Sequence, residues 1–199
     1  MAKKRIGYDI DNVVTQTYDF ALRLVNRHLG TSYTLEDCYH QTVEESFSIP
    51  EEDVINWFRK TDNGFPIDIL PIDGAKDVIN AHHGSLDQYF ITARGASLID
   101  GSLKWFDEHG FLYAPDRMFF KNNTPEKKAN LVKAYNIELF VEDNLPNANA
   151  IAEEAQVPVL LVDFGYKFNR NRPYYHGLVK IVKSWAEIDL KIKELLYPL

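Results

Sequence analysis

Two aspartates stand two positions apart at the end of an apolar segment near the amino terminus. The segment reads Ile-Gly-Tyr-Asp-Ile-Asp-Asn-Val-Val, and the acids are Asp9 and Asp11. Side chains at positions i and i+2 of an extended chain point the same way, so both carboxylates are expected at the carboxyl end of a strand, where open α/β sheets bind ligands. Carboxylates so close repel each other unless a cation lies between them or one is protonated. The pair therefore predicts phosphate chemistry on a metal ion.

Three further polar groups follow predicted strands or begin a predicted helix. They are the segment Thr92-Ala93-Arg94, Lys128 one turn into a helix that begins at Thr124-Pro125, and the acidic pair Glu142-Asp143. The carboxyl ends of parallel strands meet at one edge of a sheet, so we expect these groups to lie near the two aspartates.

Apolar, strand-like runs alternate with segments of helical periodicity along most of the chain. The runs lie near 5–10, 88–93, 117–120, 138–142 and 158–163. This alternation predicts an α/β fold, a Rossmann-like three-layer arrangement with helices on both faces of a parallel sheet. Near the end of the chain, Ser184 and Glu187 have the spacing of a capping box and predict the start of the last helix.

One stretch breaks the alternation. Residues 16–75 contain two or three helical patterns and no convincing strand. The stretch is far longer than an ordinary connection between two parallel strands. We therefore predict a small helical cap domain at 16–75, inserted into a core domain made of 1–15 and 76–199.

In their order along the chain, these four groups and the insertion resemble the haloacid dehalogenase-like (HAD) superfamily of phosphatases and phosphotransferases. The resemblance covers nearly the whole chain and is strongest to the 5′(3′)-deoxyribonucleotidase group. Asn12 stands where many members have glycine, and Glu142 stands where nucleotidases usually have aspartate. The resemblance implies a HAD-like core and a Mg²⁺-dependent phosphomonoester hydrolase, with (deoxy)nucleoside 5′-monophosphates as the favoured substrates.

The resemblance also implies roles for the acidic residues. Asp9 is expected to be the nucleophile that forms an aspartyl-phosphate, and Asp11 the general acid and base. Asp9, the main-chain carbonyl of Asp11 and Asp143 are the expected ligands of Mg²⁺, a cation that prefers oxygen ligands. Glu142 is expected to orient a metal-bound water.

The phosphoryl oxygens are expected to bind four residues: Thr92, Ala93, Arg94 and Lys128. Lys128 is preferred to Lys127 because the family's spacing to the acidic pair fits it better. The Arg94 side chain has two further interpretations, since it could reach a second anionic group of the substrate or pair with a surface acid.

The substrate is less well determined by the sequence than the chemistry. The aromatic residues Phe47, Trp57, Phe58 and Phe65 of the predicted cap could stack on a nucleobase, or could form the cap's own core. A sugar phosphate or another small phosphoester is the alternative substrate. A non-catalytic module that binds a phosphorylated ligand is the alternative of another class.

Composition narrows the partners and the compartment. The net charge is −7 and no basic run is present, which argues against a nucleic-acid polymer or an anionic membrane as partner. A small phosphoester can still bind, because its binding depends on the charges within the site and not on the net charge of the protein. The single cysteine, Cys38, excludes an internal disulfide, and with no signal peptide recognised we expect a cytoplasmic protein. The sequence leaves a homodimer open.

Overall fold

A parallel sheet forms the centre of the protein. The computed structural model describes residues 2–61, 66–122, 124–163 and 175–197. In these residues six strands lie in the order β3-β2-β1-β4-β5-β6, and every neighbouring pair is parallel. They are β1 (Lys4–Tyr8), β2 (Leu86–Ile91), β3 (Met118–Phe119), β4 (Leu139–Glu142), β5 (Val159–Val162) and β6 (Val179–Val182). The predicted α/β fold is confirmed, and β6 is an additional strand that the sequence did not reveal.

Helices cover both faces of this sheet. In the described part of the chain they are α1 (Thr17–Leu29), α2 (Val43–Phe47), α3 (Glu51–Arg59), α4 (Ala75–His82), α5 (Ile99–Glu108), α6 (Pro125–Ala134), α7 (Leu145–Ala155) and α8 (Trp185–Leu196). Side chains from α4, α5 and α8 share one buried cluster with the sheet, and side chains from α6 and α7 share another. Across the described residues, none of the helices combines the length and apolarity needed to cross a membrane.

The alternation of side chains along the strands assigns each residue to one of these two clusters. Tyr8 and Val141 belong to the cluster with α4, α5 and α8, whereas Phe140 belongs to the cluster with α6 and α7. Strand β1 carries Gly7 beside Phe140, and a Cβ atom added there would lie 2.5 Å from the ring. The close approach of β1 and β4 therefore requires a residue without a side chain.

Local sequence explains where the later helices begin. The Thr124 side chain accepts a hydrogen bond from Lys127 N at 3.3 Å, and Pro125 occupies the first helical position of α6. The predicted start of α8 is confirmed, since the Ser184 hydroxyl accepts from Glu187 N at 3.2 Å. The Glu187 carboxylate accepts from Lys183 N at 2.7 Å, one residue before the position that a standard capping box uses.

Helices α1, α2 and α3 lie between β1 and β2 in the chain and have a buried cluster of their own, which includes Tyr18, Val25 and Val54. The chain enters and leaves this insertion through two adjacent segments, 14–16 and 70–72, which we call the stalk. Within the stalk, Gln16 N donates to Leu70 O and Ile72 N donates to Val14 O, both at 2.8 Å. The cap boundaries at 16–75 stay a prediction, and Phe65 lies outside the described residues.

Candidate active site

The order of the strands reverses between β1 and β4, and open α/β sheets bind ligands beyond the carboxyl ends of the strands at such a point. Asp9 follows β1 directly, Glu142 is the last residue of β4, and Asp143 is the next. All three side chains are buried, and one carboxylate oxygen from each lies within 4.8 Å of the others. Asp9 N also donates to Val141 O at 2.9 Å, which holds the two strand ends in register.

Lys128 lies between two of these acids. Its ammonium nitrogen is 2.7 Å from Asp9 Oδ2 and 2.8 Å from Glu142 Oε2, and the residue is only 1% exposed. Burial alone lowers the pKa of a lysine, but Asp9 and Glu142 outweigh that effect and raise the pKa of Lys128, so the side chain is a cation. The neighbouring Lys127 is exposed. The structure thus brings Lys128, the preferred lysine of the sequence prediction, to the acids.

The acid cluster still carries more negative charge than one lysine balances. Burial, together with the charges of Glu142 and Asp11, raises the pKa of Asp9 to about 8 although Lys128 opposes them. Burial and the charges of Glu142 and Asp9 also raise the pKa of Asp143 well above its ordinary value. Three converging carboxylates, of which Asp9 and Asp143 have raised pKa values, are the donor set of a hard divalent cation. Asp9, Glu142 and Asp143 therefore fit Mg²⁺.

Asp11 has different partners. Its carboxylate accepts from Arg94 Nε at 3.0 Å, from Arg94 Nη2 at 2.8 Å and from the Thr17 hydroxyl at 2.6 Å. Burial raises the pKa of Asp11, but Arg94 and Thr17 outweigh it and hold the pKa below the ordinary value. The Asp11 side chain is thus an ionised partner of Arg94, and its expected metal contact through the main-chain carbonyl stays a prediction.

Arg94 is buried, and its guanidinium points to protein groups. Besides Asp11, it donates to the Ser102 hydroxyl at 2.9 Å and to the Thr15 hydroxyl at 3.4 Å. The structure pairs this side chain with Asp11, an acid of the candidate site, whereas the sequence-based alternative was a surface acid. Its main-chain amide, which donates to Thr92 Oγ1 at 3.1 Å, keeps its predicted role as a phosphate donor.

The remaining predicted phosphate ligands follow β2. Thr92 is fully buried, whereas Ala93 is exposed and lines a cleft of about 310 Å³. Residues from the insertion, the loop after β3 and the starts of α6 and α7 complete this cleft: Gln41, Asn122, Pro125, Asn144, Pro146 and Asn147. Sequence reasoning missed the amide side chains, because single Asn and Gln residues carry no pattern that predicts a ligand site.

The three cap aromatics differ in their positions. Phe58 lines a cavity of about 150 Å³ together with Asn12 and Gln41. Phe47 stacks on Tyr33, with ring centres 4.2 Å apart. Trp57 stacks on His28 at 4.5 Å. Phe47 and Trp57 thus pack within the insertion, and Phe58 is the one of the three that reaches the cavity between the insertion and the loop after β1.

Solved structures with a similar fold include haloacid dehalogenase-like proteins. A conserved haloacid dehalogenase-like protein from Agrobacterium tumefaciens has a TM-score of 0.64 at 14% identity, with 96% of this chain and 98% of that chain covered. The HAD-hydrolase YfnB from Bacillus subtilis, bound to magnesium, has a TM-score of 0.60 at 16% identity, with 96% and 99% covered. At such identities the likeness shows the HAD-like fold.

Sequence comparison is more specific. The "Putative nucleotidase BH1399" of Halalkalibacterium halodurans is 27% identical, with 96% of this chain and 94% of the relative covered. YqfW of Bacillus subtilis, which bears the same designation, is 28% identical, with 92% and 90% covered. A model of the family "5′ nucleotidase, deoxy (Pyrimidine), cytosolic type C protein" matches residues 3–195. The chain therefore belongs to this nucleotidase family and is a phosphatase-type enzyme with a HAD-like fold.

Proposed function

We propose that this enzyme is a Mg²⁺-dependent phosphomonoesterase that acts through an aspartyl-phosphate on Asp9, with (deoxy)nucleoside monophosphates as substrates. The observation that supports it best is the buried group at the β1–β4 switch, where Asp9 is bonded to Lys128 beside Glu142 and Asp143. Bound Mg²⁺ would neutralise phosphoryl charge and help to keep Asp9 ionised. The family match supports the nucleotide as substrate.

In the first step, a carboxylate oxygen of Asp9 attacks phosphorus, and the bond to the alkoxide oxygen of the substrate breaks. Lys128 and the main-chain amides of Ala93 and Arg94 stabilise the negative charge on the phosphoryl oxygens. The alkoxide takes a proton from Asp11. In the second step a water attacks the same phosphorus, Asp11 accepts its proton, and inorganic phosphate and free Asp9 are released.

The position of Asp11 adds a condition to this sequence of steps. The salt bridge with Arg94 favours the ionised carboxylate, the form that accepts a proton from water in the second step. To donate a proton in the first step, Asp11 must separate from Arg94 and take up a proton from solvent before the substrate reacts. We propose that this separation accompanies binding of the substrate between the insertion and the core.

Assays of phosphate release distinguish the two substrate classes. Phosphate release should be measured with Mg²⁺ and with EDTA, using nucleoside 5′- and 3′-monophosphates, their deoxy forms and a panel of sugar phosphates. A higher kcat/KM for nucleotides supports the proposal, and a higher value for a sugar phosphate supports the alternative substrate. Binding without turnover of any phosphoester would favour a non-catalytic module. A cytoplasmic location and the choice between monomer and homodimer stay predictions.

The variant Asp9→Asn tests the chemistry. We expect it to fold and to lose activity by about 10³-fold or more, since an amide cannot form the acyl phosphate. Asp77→Asn is the matched control, because Asp77 is an exposed aspartate on α4. Activity of Asp9→Asn close to that of the Asp77→Asn control would contradict the proposal.

A further inference from the structure

Asn12 has an unusual backbone conformation for a residue with a side chain. Its φ angle is 59°, in the left-handed region that glycine adopts most easily. The residue is buried in the loop between Asp9 and α1. Asparagine tolerates this region better than most residues, but glycine would adopt it with less strain. We therefore expect the asparagine side chain to make contacts that glycine could not make.

Both ends of the Asn12 amide are used. The side-chain oxygen accepts from Tyr18 N at 2.7 Å, and the side-chain nitrogen donates to Asp143 Oδ2 at 3.0 Å. The main-chain N–H of Tyr18 fixes this orientation, because it can only donate. A flipped amide would lose the bond from Tyr18 N.

The two bonds connect different parts of the protein. Tyr18 is the second residue of α1, and Gln16, at the N-cap position of this helix, makes no capping bond with its own side chain. Asn12 therefore supplies a side-chain acceptor for the Tyr18 N–H in the first turn of α1. Asp143 belongs to the acid cluster after β4. One side chain thus joins the first helix of the insertion to the acid cluster.

We propose that Asn12 is a positioning residue that orients the Asp143 carboxylate for Mg²⁺ and couples metal binding to the start of α1. This inference rests on the proposed function, since it takes the acid cluster to be the Mg²⁺ site. Groups that hydrogen-bond to a metal ligand fix its orientation, and their loss typically weakens metal binding by about 10- to 100-fold. The Asn12 amide cannot move without affecting both of its hydrogen bonds. When Mg²⁺ fixes the Asp143 carboxylate, it therefore also fixes the first turn of α1 through Asn12.

Asn12→Gly separates this role from a merely structural one. Glycine suits the φ angle and removes both hydrogen bonds. We expect calorimetric titration with MgCl₂ to show an Mg²⁺ Kd raised by about 10-fold or more. Thermal unfolding of the metal-free protein, followed by circular dichroism, should give a Tm close to that of the wild type. The Mg²⁺-induced rise in Tm should then be smaller than in the wild type.

Asn136→Gly is the matched control. Asn136 also has a left-handed φ angle, 48°, but it is exposed and lies in the turn between α6 and β4. Its substitution should leave the Mg²⁺ Kd unchanged. If Asn12→Gly binds Mg²⁺ as tightly as the wild type, the inference is overturned while the proposed function stands, and a lower metal-free Tm would then mark Asn12 as a helix cap alone. If the wild type itself does not bind Mg²⁺, both fall.

Discussion

At the scale of single residues, Lys128 has a demanding electrostatic position. Its ammonium group lies between the buried carboxylates of Asp9 and Glu142, and little water reaches any of the three. Taking such charges out of water is unfavourable, and it is compensated only while the partners remain together. The same ammonium group therefore stabilises the fold, through Asp9 and Glu142, and is proposed to contact the phosphoryl group, so a substitution of Lys128 affects both.

We expect Lys128→Met to lower the free energy of unfolding by about 3–5 kcal/mol in EDTA, because two buried acids lose their cation. The loss should be smaller in saturating Mg²⁺, which restores positive charge at the same carboxylates. Urea unfolding under both conditions measures the two values. Lys127→Met, one position away and exposed, should change stability little. An equal loss with and without Mg²⁺ would contradict the metal site at these acids.

At the scale of elements, β1 and β4 must lie close enough to present their acids together. The pairing of Gly7 with Phe140 sets this spacing, and each residue is two positions before an acid of the cluster. A methyl group at position 7 would meet the ring of Phe140 at 2.5 and 2.6 Å and the Ile137 side chain at 3.3 Å. The two strands could admit it only by moving apart or by displacing the ring.

Gly7→Ala is therefore expected to destabilise the protein by about 1–3 kcal/mol through overpacking, and to lower phosphatase activity as the strand ends shift. Chemical denaturation and steady-state kinetics measure the two effects. Gly84→Ala is the control, since a Cβ atom there has no neighbour within 4 Å. Wild-type stability and activity in Gly7→Ala would show that the strands accept a wider spacing.

At the scale of the whole molecule, a polar contact ties α8 to α4, elements far apart in the chain. His82 Nε2 lies 2.8 Å from Asp189 Oδ1, and Lys193 also bonds to Asp189. Burial raises the pKa of Asp189, but the bonds from Lys193 and His82 outweigh it and lower the pKa. A carboxyl whose pKa is lower in the folded state stabilises the fold above its unfolded pKa, and this stabilisation is lost as the pH falls through the folded value.

Asp189→Asn is accordingly expected to cost up to about 1 kcal/mol at pH 7, the range for a partly exposed ion pair. The difference from the wild type should shrink below about pH 4, where the native carboxyl also becomes neutral. Urea unfolding between pH 7 and pH 3 gives the trend. The exposed Asp116→Asn is the control, and a difference that grows as the pH falls would contradict the assigned direction of the pKa shift.

The parts of the fold and the site that follow strand-end geometry could be predicted from the sequence. Asp9, Lys128 and Asp143 converge because parallel strands deliver their ends to one edge, whatever the intervening sequence. Strand β6 was missed because Lys180 and Ile181 are exposed at the edge of the sheet, where no continuous apolar run is required.

The partner of Asp11 could not be predicted in the same way. The rule that residues i and i+2 share a face holds only in an extended strand, and β1 ends at Tyr8. Beyond that point Asn12 turns the chain through a left-handed conformation. The contact with Arg94 joins residues 83 positions apart, and no local pattern encodes such a pair. The hydrogen bond from Arg94 to Ser102 could not be predicted either, because no sequence motif specifies that pair.

The stalk has a consequence for how this protein could change. Because the segments 14–16 and 70–72 are hydrogen-bonded neighbours, the intervening helices begin and end at almost the same point in space. A tight turn could connect the two segments of the stalk directly. An insertion of different length or shape could therefore replace the present one at the stalk, with little entropic cost to the folding of the core. A substrate preference set by the insertion could in this way change during evolution while the core keeps its proposed phosphoryl chemistry.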